Sequence, residues 1–158
     1  MFKLRYNTIM PETIITNSEQ DTYDFALKFA ANLKGGEVIG LMGDLGSGKT
    51  IFTKGLAMGI GIKQAITSPT FVLMRLYEIR GADKNIEAKN KIKRFCHIDA
   101  YRTKDELDIV SIGAEDFMGQ EDTVTVVEWA DKIRDILPRR TQYIHFEFQG
   151  GEKRLIKY

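Results

Sequence analysis

Residues 43–50 read Gly-Asp-Leu-Gly-Ser-Gly-Lys-Thr, and this octapeptide constrains the chain more than any other feature. It fits the pattern G-x-x-x-x-G-K-[ST] at every fixed position, and a short apolar run (Val38, Ile39, Leu41, Met42) precedes it. A helix is expected from Lys49 to the Gly59-Ile60-Gly61 punctuation. Strand, glycine-rich turn and helix form the context that the pattern requires. The glycines let the backbone curl so that successive N–H groups converge on an anion. The start of the helix adds its positive end. Lys49 supplies an ammonium for β- and γ-phosphates, and Thr50 a hydroxyl for Mg²⁺. Gly43, Asp44, Leu45, Gly46, Ser47, Gly48, Lys49 and Thr50 are therefore the expected nucleotide-binding residues.

A Mg²⁺-nucleotide site also needs an acid at the end of a buried strand beside the loop. Two acids fit. Glu128 ends Val124-Thr125-Val126-Val127, and Asp99 ends Phe95-Cys96-His97-Ile98. Either can hold magnesium or its waters, orient an attacking water, or simply cap the next helix. His97 shares a strand face with Asp99, and a structural role is the simpler expectation for it. Cys96 points the other way, into the core. Ser68-Pro69-Thr70 follows the phosphate-loop helix, where hydroxyls can sense a γ-phosphate or merely form a turn. Trp129, the single tryptophan, adjoins Glu128.

The rest of the chain reads as helices alternating with short strands. Thr16-Asn17-Ser18-Glu19 offers a capping box, and Thr22, Phe25, Ala26, Phe29, Ala30 and Leu33 then recur at helical spacing up to Gly35-Gly36. Phe71–Ile79 and Arg94–Asp99 read as strands on either side of a polar stretch, 81–93. Thr103-Lys104-Asp105-Glu106 offers a second capping box, with a short helix through Val110. Thr123–Glu128 is a strand, Trp129–Leu137 a helix, and Gln142–Gln149 with Arg154–Tyr158 a hairpin across Gly150-Gly151. The order predicts an α/β P-loop NTPase fold, three layers α/β/α around a mixed, partly parallel sheet. At 158 residues the expectation is a single domain over 1–158.

Composition removes several function classes. Lys+Arg is 23 against 22 Asp+Glu, so the formal charge of +1 does not suit a dedicated nucleic-acid coat. One cysteine allows no intramolecular disulfide and no cysteine-rich zinc site. Without a long apolar run, no membrane role is expected and the cytoplasm is the expected location. Among NTPases, Asp116-Phe117-Met118-Gly119 matches D-x-x-G without a preceding strand, and Thr103–Glu106 puts its acid one position early for guanine recognition. Arg134, Arg139 and Arg140 form a basic cluster with nothing resembling a kinase lid beside it.

Taken in order, the phosphate loop, Ser68-Pro69-Thr70, His97-Ile98-Asp99-Ala100-Tyr101-Arg102 and Val127-Glu128-Trp129 resemble the TsaE (YjeE) family of small bacterial P-loop ATPases over about residues 16–148. The resemblance implies ATP and Mg²⁺ as ligands and a role in making N6-threonylcarbamoyladenosine at position 37 of tRNAs that read ANN codons. It implies binding to the TsaB–TsaD pair, with tRNA reached through that complex and ATP hydrolysis supporting turnover by TsaD. By matching position, Thr50 and Glu128 would ligate magnesium. Asp99 would be the second essential acid, acting with Glu128 and Lys49 in catalysis. Ser68, Pro69 and Thr70 would form a switch-like loop, and Trp129 would lie beside the site. The stretch 81–93 and the N-terminus look longer than the family pattern. The alternatives are a nucleotide-sensing binding module, in which hydrolysis is incidental, and a small-molecule kinase.

Overall fold

The computed structural model describes residues 11–79 and 91–158. Seven strands form one sheet: β1 (Thr13–Thr16), β2 (Val38–Met42), β3 (Met74–Glu78), β4 (Arg94–Asp99), β5 (Thr123–Glu128), β6 (Gln142–Phe148) and β7 (Arg154–Lys157). Their order is β1-β7-β6-β2-β5-β4-β3. The pairs β2–β5, β2–β6 and β4–β5 are parallel, while β3–β4, β6–β7 and β1–β7 are antiparallel. Every residue of β2 and β5 is buried, as expected of central strands covered on both faces.

The pleat sorts the core into two layers. On one face Ile39, Leu41, Phe95, Val124, Val126 and Ile144 pack against α1 (Glu19–Ala30) and α2 (Lys49–Gly59). On the other, Val38, Met42, Cys96, Ile98 and Val127 meet α3 (Leu107–Ser111) and two 3₁₀ segments, Ala114–Asp116 and Ala130–Ile136. The three-layer mixed sheet expected from the sequence is the one observed. Among the described residues no helix is long and apolar enough to cross a membrane.

Helices α1 and α2 approach closely because small residues face each other. A Cβ added at Gly55 would lie 2.3 Å from the Tyr23 carbonyl oxygen and 2.9 Å from Ala26 Cβ. One added at Gly59 would lie 2.5 Å from Ala30 Cβ. This approach seats α2, and with it the phosphate loop, on α1.

Several local expectations are corrected. Ser18, not Thr16, caps α1: its Oγ accepts from Asp21 N at 3.0 Å. Thr16 ends β1, a strand that the sequence reading did not include, and its hydroxyl meets that of Thr22 at 2.8 Å. The Thr103 box does not form, since Thr103 Oγ1 donates to Ala100 O and α3 begins at Leu107. The strand expected from Phe71 begins at Met74, because Pro69 O accepts from both Val72 N and Leu73 N and curls residues 69–73 into a turn. The segment after Glu128 is 3₁₀ rather than α, broken at Ile133 (φ −129°). Asp116 ends a 3₁₀ turn, and Arg134 and Arg140 lie on an exposed face against Tyr143 and Gly119 O. The first ten residues and 80–90, most of the polar stretch, lie outside the described residues.

Three outcomes follow from this packing. Gly55→Ala forces the helices apart and lowers stability by about 1–3 kcal/mol, the usual cost of overpacking, read from the urea midpoint. Burial pushes the Cys96 thiol from its ordinary 9.0 up to about 12. The native thiol is therefore inert to alkylation at pH 8 and reacts once urea unfolds the chain. Because the unfolded thiol loses its proton first, Cys96 contributes stability at neutral pH that falls away above about pH 9, measurable by urea unfolding across that range.

Candidate functional site

The site lies where the parallel strands β2, β4 and β5 end together, the usual place for a ligand in such a sheet. The register aligns Asp99 with Glu128, and Glu128 with Leu41 of the strand that feeds the phosphate loop. Two acids far apart in sequence thus sit side by side beside residues 43–50.

The loop conformation depends on its glycines. Gly43 has φ 142°, and a Cβ there would lie 2.4 Å from Phe146 O; Gly48 has φ 104°, with Arg154 Nε 2.9 Å from the same notional atom. Gly48 caps α2 without a side-chain hydrogen bond, so the first amides of the helix are open to an anion. Ser47 and Lys49 are buried, while Leu45 is 76% exposed at the rim.

Lys49 is folded back onto its own loop. Its Nζ donates to Gly43 O at 2.6 Å, Asp44 O at 2.8 Å and Ser47 Oγ at 3.4 Å, and lies 4.0 Å from the centre of the Trp129 ring. Burial pushes the ammonium below its ordinary value, opposed by the carboxylates of Glu128 and Asp99. Trp129 adopts the left-handed conformation (φ 59°), unusual for a bulky residue, and its ring lies 4.9 Å from that of Tyr101. The sharp turn after β5 thereby aims the indole across the loop.

Glu128 is 3% exposed and is held on several sides. Thr50 Oγ1 donates to Oε2 at 2.8 Å; His97 Nε2 lies 2.8 Å and Thr53 Oγ1 3.5 Å from Oε1. Asp99, also 3% exposed, accepts from Ser68 Oγ at 2.7 Å, Thr70 Oγ1 at 2.6 Å and Tyr101 N at 2.9 Å. The Ser68–Thr70 loop is therefore tied to one acid and the phosphate loop to the other. Thr50, Ser68, Thr70, Asp99, Glu128 and Trp129 line one cleft, while Pro69 lies outside it and turns the chain.

Two contributors, Thr53 and Arg154, are not among the residues read from the sequence. Thr53 follows Thr50 by three residues on α2, a helical spacing that was available as a signal. His97, for which a structural role was weighed above a site role, places its ring against Glu128. Arg154 enters from β7, 5% exposed; it donates to Glu152 O and lies 3.7 Å from Glu19. It also lines the cleft, and nothing in its local sequence points there.

The family model described as "Threonylcarbamoyl adenosine biosynthesis protein TsaE" matches residues 16–156. The chain belongs to the TsaE family. The match covers the ordered motifs and also β7 almost to its end, beyond the limit of 148 read from the sequence. A Bacillus subtilis protein named tRNA threonylcarbamoyladenosine biosynthesis protein TsaE is 35% identical over 158 residues, spanning 100% of this chain and 86% of the relative. A protein of the same name from Aquifex aeolicus is 40% identical over 128 residues, spanning 78% and 82%. The crystal structure of Bacillus subtilis YdiB superposes with a TM-score of 0.67 at 33% identity, covering 94% of this chain and 85% of that one. TsaE membership and the YdiB likeness agree with the P-loop architecture described above.

Proposed function

We propose that this chain is a Mg²⁺-dependent ATPase of tRNA threonylcarbamoyladenosine biosynthesis, acting as one cytoplasmic domain that binds TsaB–TsaD and supports its turnover. The observation that carries the reading is the convergence of Lys49, Thr50, Asp99 and Glu128 in one cleft, with Thr50 Oγ1 and Glu128 Oε2 2.8 Å apart. The names of the TsaE relatives support the pathway. The near-zero net charge supports contact with tRNA through the complex rather than by the chain alone.

The donor set suits magnesium. Thr50 and Glu128 offer hard oxygens at adjacent positions, and no group of three or more His, Cys, Asp and Glu placed for a metal occurs among the described residues. That is the pattern for an ion completed by phosphates and waters rather than by a protein cage. Held by Thr50 and Glu128, Mg²⁺ would supply Lewis-acid stabilisation of the negative charge that develops on the phosphates.

The chain's own residues do the rest. The amides from Gly46 to Thr50 cradle the phosphates. Lys49 leaves the carbonyls of Gly43 and Asp44 for the γ-phosphate, exchanging one set of acceptors for another. Arg154 stands against Gly48 and lines the same cleft. Asp99 orients water for in-line attack: the water oxygen bonds to the γ-phosphorus as the bond from that phosphorus to the β–γ bridging oxygen breaks, and ADP, phosphate and a proton are released. The Ser68–Thr70 contacts give Asp99 a second use, to report the state of the site to the surface, which also supports the sensing-module alternative.

Lys49→Ala is expected to cut turnover by about 10²- to 10³-fold, the scale of losing one preorganised donor. Unchanged ATP affinity and hydrolysis in that variant overturn the phosphate-loop assignment. Hydrolysis by the purified chain is expected to be slow and to rise when TsaB and TsaD are added, measured as phosphate release with Mg²⁺. Glu128→Ala that still sustains normal tRNA modification favours the sensing module. Transfer of phosphate to an added metabolite instead of water identifies a kinase.

A further inference from the structure

The structure singles out a buried polar side chain behind Glu128. His97 is 0% exposed, and its Nε2 lies 2.8 Å from Glu128 Oε1. A carboxylate oxygen only accepts, so the proton of this bond is on Nε2. The other ring nitrogen, Nδ1, is buried without a partner among the described residues. A side chain present only to fill space would be apolar, as Phe95 is two residues earlier on the same face. The position instead carries a group with one polar atom satisfied by a single carboxylate and one left unpaired.

Register explains the reach. His97 pairs with Val126, one pleat below Glu128 on the same face of β5. The imidazole spans that diagonal while its ring rests 6.2 Å from the Phe95 ring. Thr53 is a weaker holder of Oε1, at 3.5 Å, and its hydroxyl already donates to Lys49 O at 2.9 Å. Oε1 is thus fixed to the sheet by His97, and Oε2 is turned toward Thr50.

We propose that His97 is the positioning residue of the site: by holding one oxygen of Glu128 to the strand scaffold it presents the other, in a single orientation, to the ion shared with Thr50. This rests on the reading of Glu128 and Thr50 given under Proposed function. Partners of this kind behind a metal-ligating carboxylate change metal affinity or activity by about 10- to 100-fold when removed.

The test uses the full chain with His97→Leu, which fills space without a donor, and His97→Gln, whose amide N–H occupies nearly the place of Nε2. ATP binding is measured by calorimetry with and without Mg²⁺, hydrolysis over a Mg²⁺ titration, and unfolding of the nucleotide-free proteins in urea. In His97→Leu, half-maximal hydrolysis is expected to need about 10- to 100-fold more Mg²⁺, with Mg²⁺-free ATP affinity unchanged. His97→Gln is expected to restore most of the wild-type Mg²⁺ dependence. In a Glu128→Ala background, His97→Leu is expected to add nothing further to the Mg²⁺ dependence. In urea, the two substitutions are expected to be non-additive, as for groups in contact.

An unchanged Mg²⁺ titration in a folded His97→Leu protein overturns the inference. So does equal loss in both His97 variants in parallel with lost stability, the signature of space filling alone. A wild-type chain that binds and hydrolyses ATP alike with and without Mg²⁺ instead overturns the reading of the site itself.

Discussion

Glu128 is the group on which the site is assembled. A buried carboxylate is tolerated only when hydrogen bonds replace its water. The replacements here come from α2 through Thr50 and Thr53, and from β4 through His97. One side chain therefore ties the phosphate-loop helix to two neighbouring strands. Satisfying it fixes the register of β4 against β5 at their ends, and that register brings Asp99 alongside. Asp99 in turn recruits Ser68 and Thr70. The polar centre is a chain of obligations spreading from one buried charge.

The apolar packing serves the same end. Gly55 and Gly59 let α2 lie almost backbone to backbone on α1. The rings of Phe25, Phe29, Phe52 and Phe146 close the gap around them, with centroids 5.5–6.2 Å apart between neighbours. A helix seated this firmly at its middle can leave its first turn open. That turn carries the unsatisfied amides of the phosphate loop, so rigidity in the core supports polarity at the rim.

How much was legible depended on how local each feature is. The octapeptide, β2 and α2 are consecutive, so glycine chemistry and apolar patterning were enough. Glu128 and Asp99 were legible as acids closing apolar runs, and the sheet does bring them together. The strand at Thr13–Thr16 was not, because its four residues pair with β7, which lies at the other end of the sequence read here. Thr16 looked like a helix cap since its hydroxyl is polar and precedes a helix; tertiary contact with Thr22 took it instead. The 3₁₀ winding after Glu128 follows from Trp129, whose left-handed backbone starts the segment at an angle that no hydrophobic pattern encodes. His97 and Arg154 needed the strand register and the sheet order, and neither is written in neighbouring residues.

The placement of β7 also bears on how the protein comes into being. This strand lies between β1 and β6, and its first residue, Arg154, backs the phosphate loop at Gly48. A chain grows from its N-terminus, so residues 43–50 emerge well before the strand that closes the cleft behind them. Among the described residues, β1 pairs with β7, so until 154–157 are in place that pairing and the rear wall of the loop are missing. The rear wall of the loop is thus supplied by a segment made long after the loop itself.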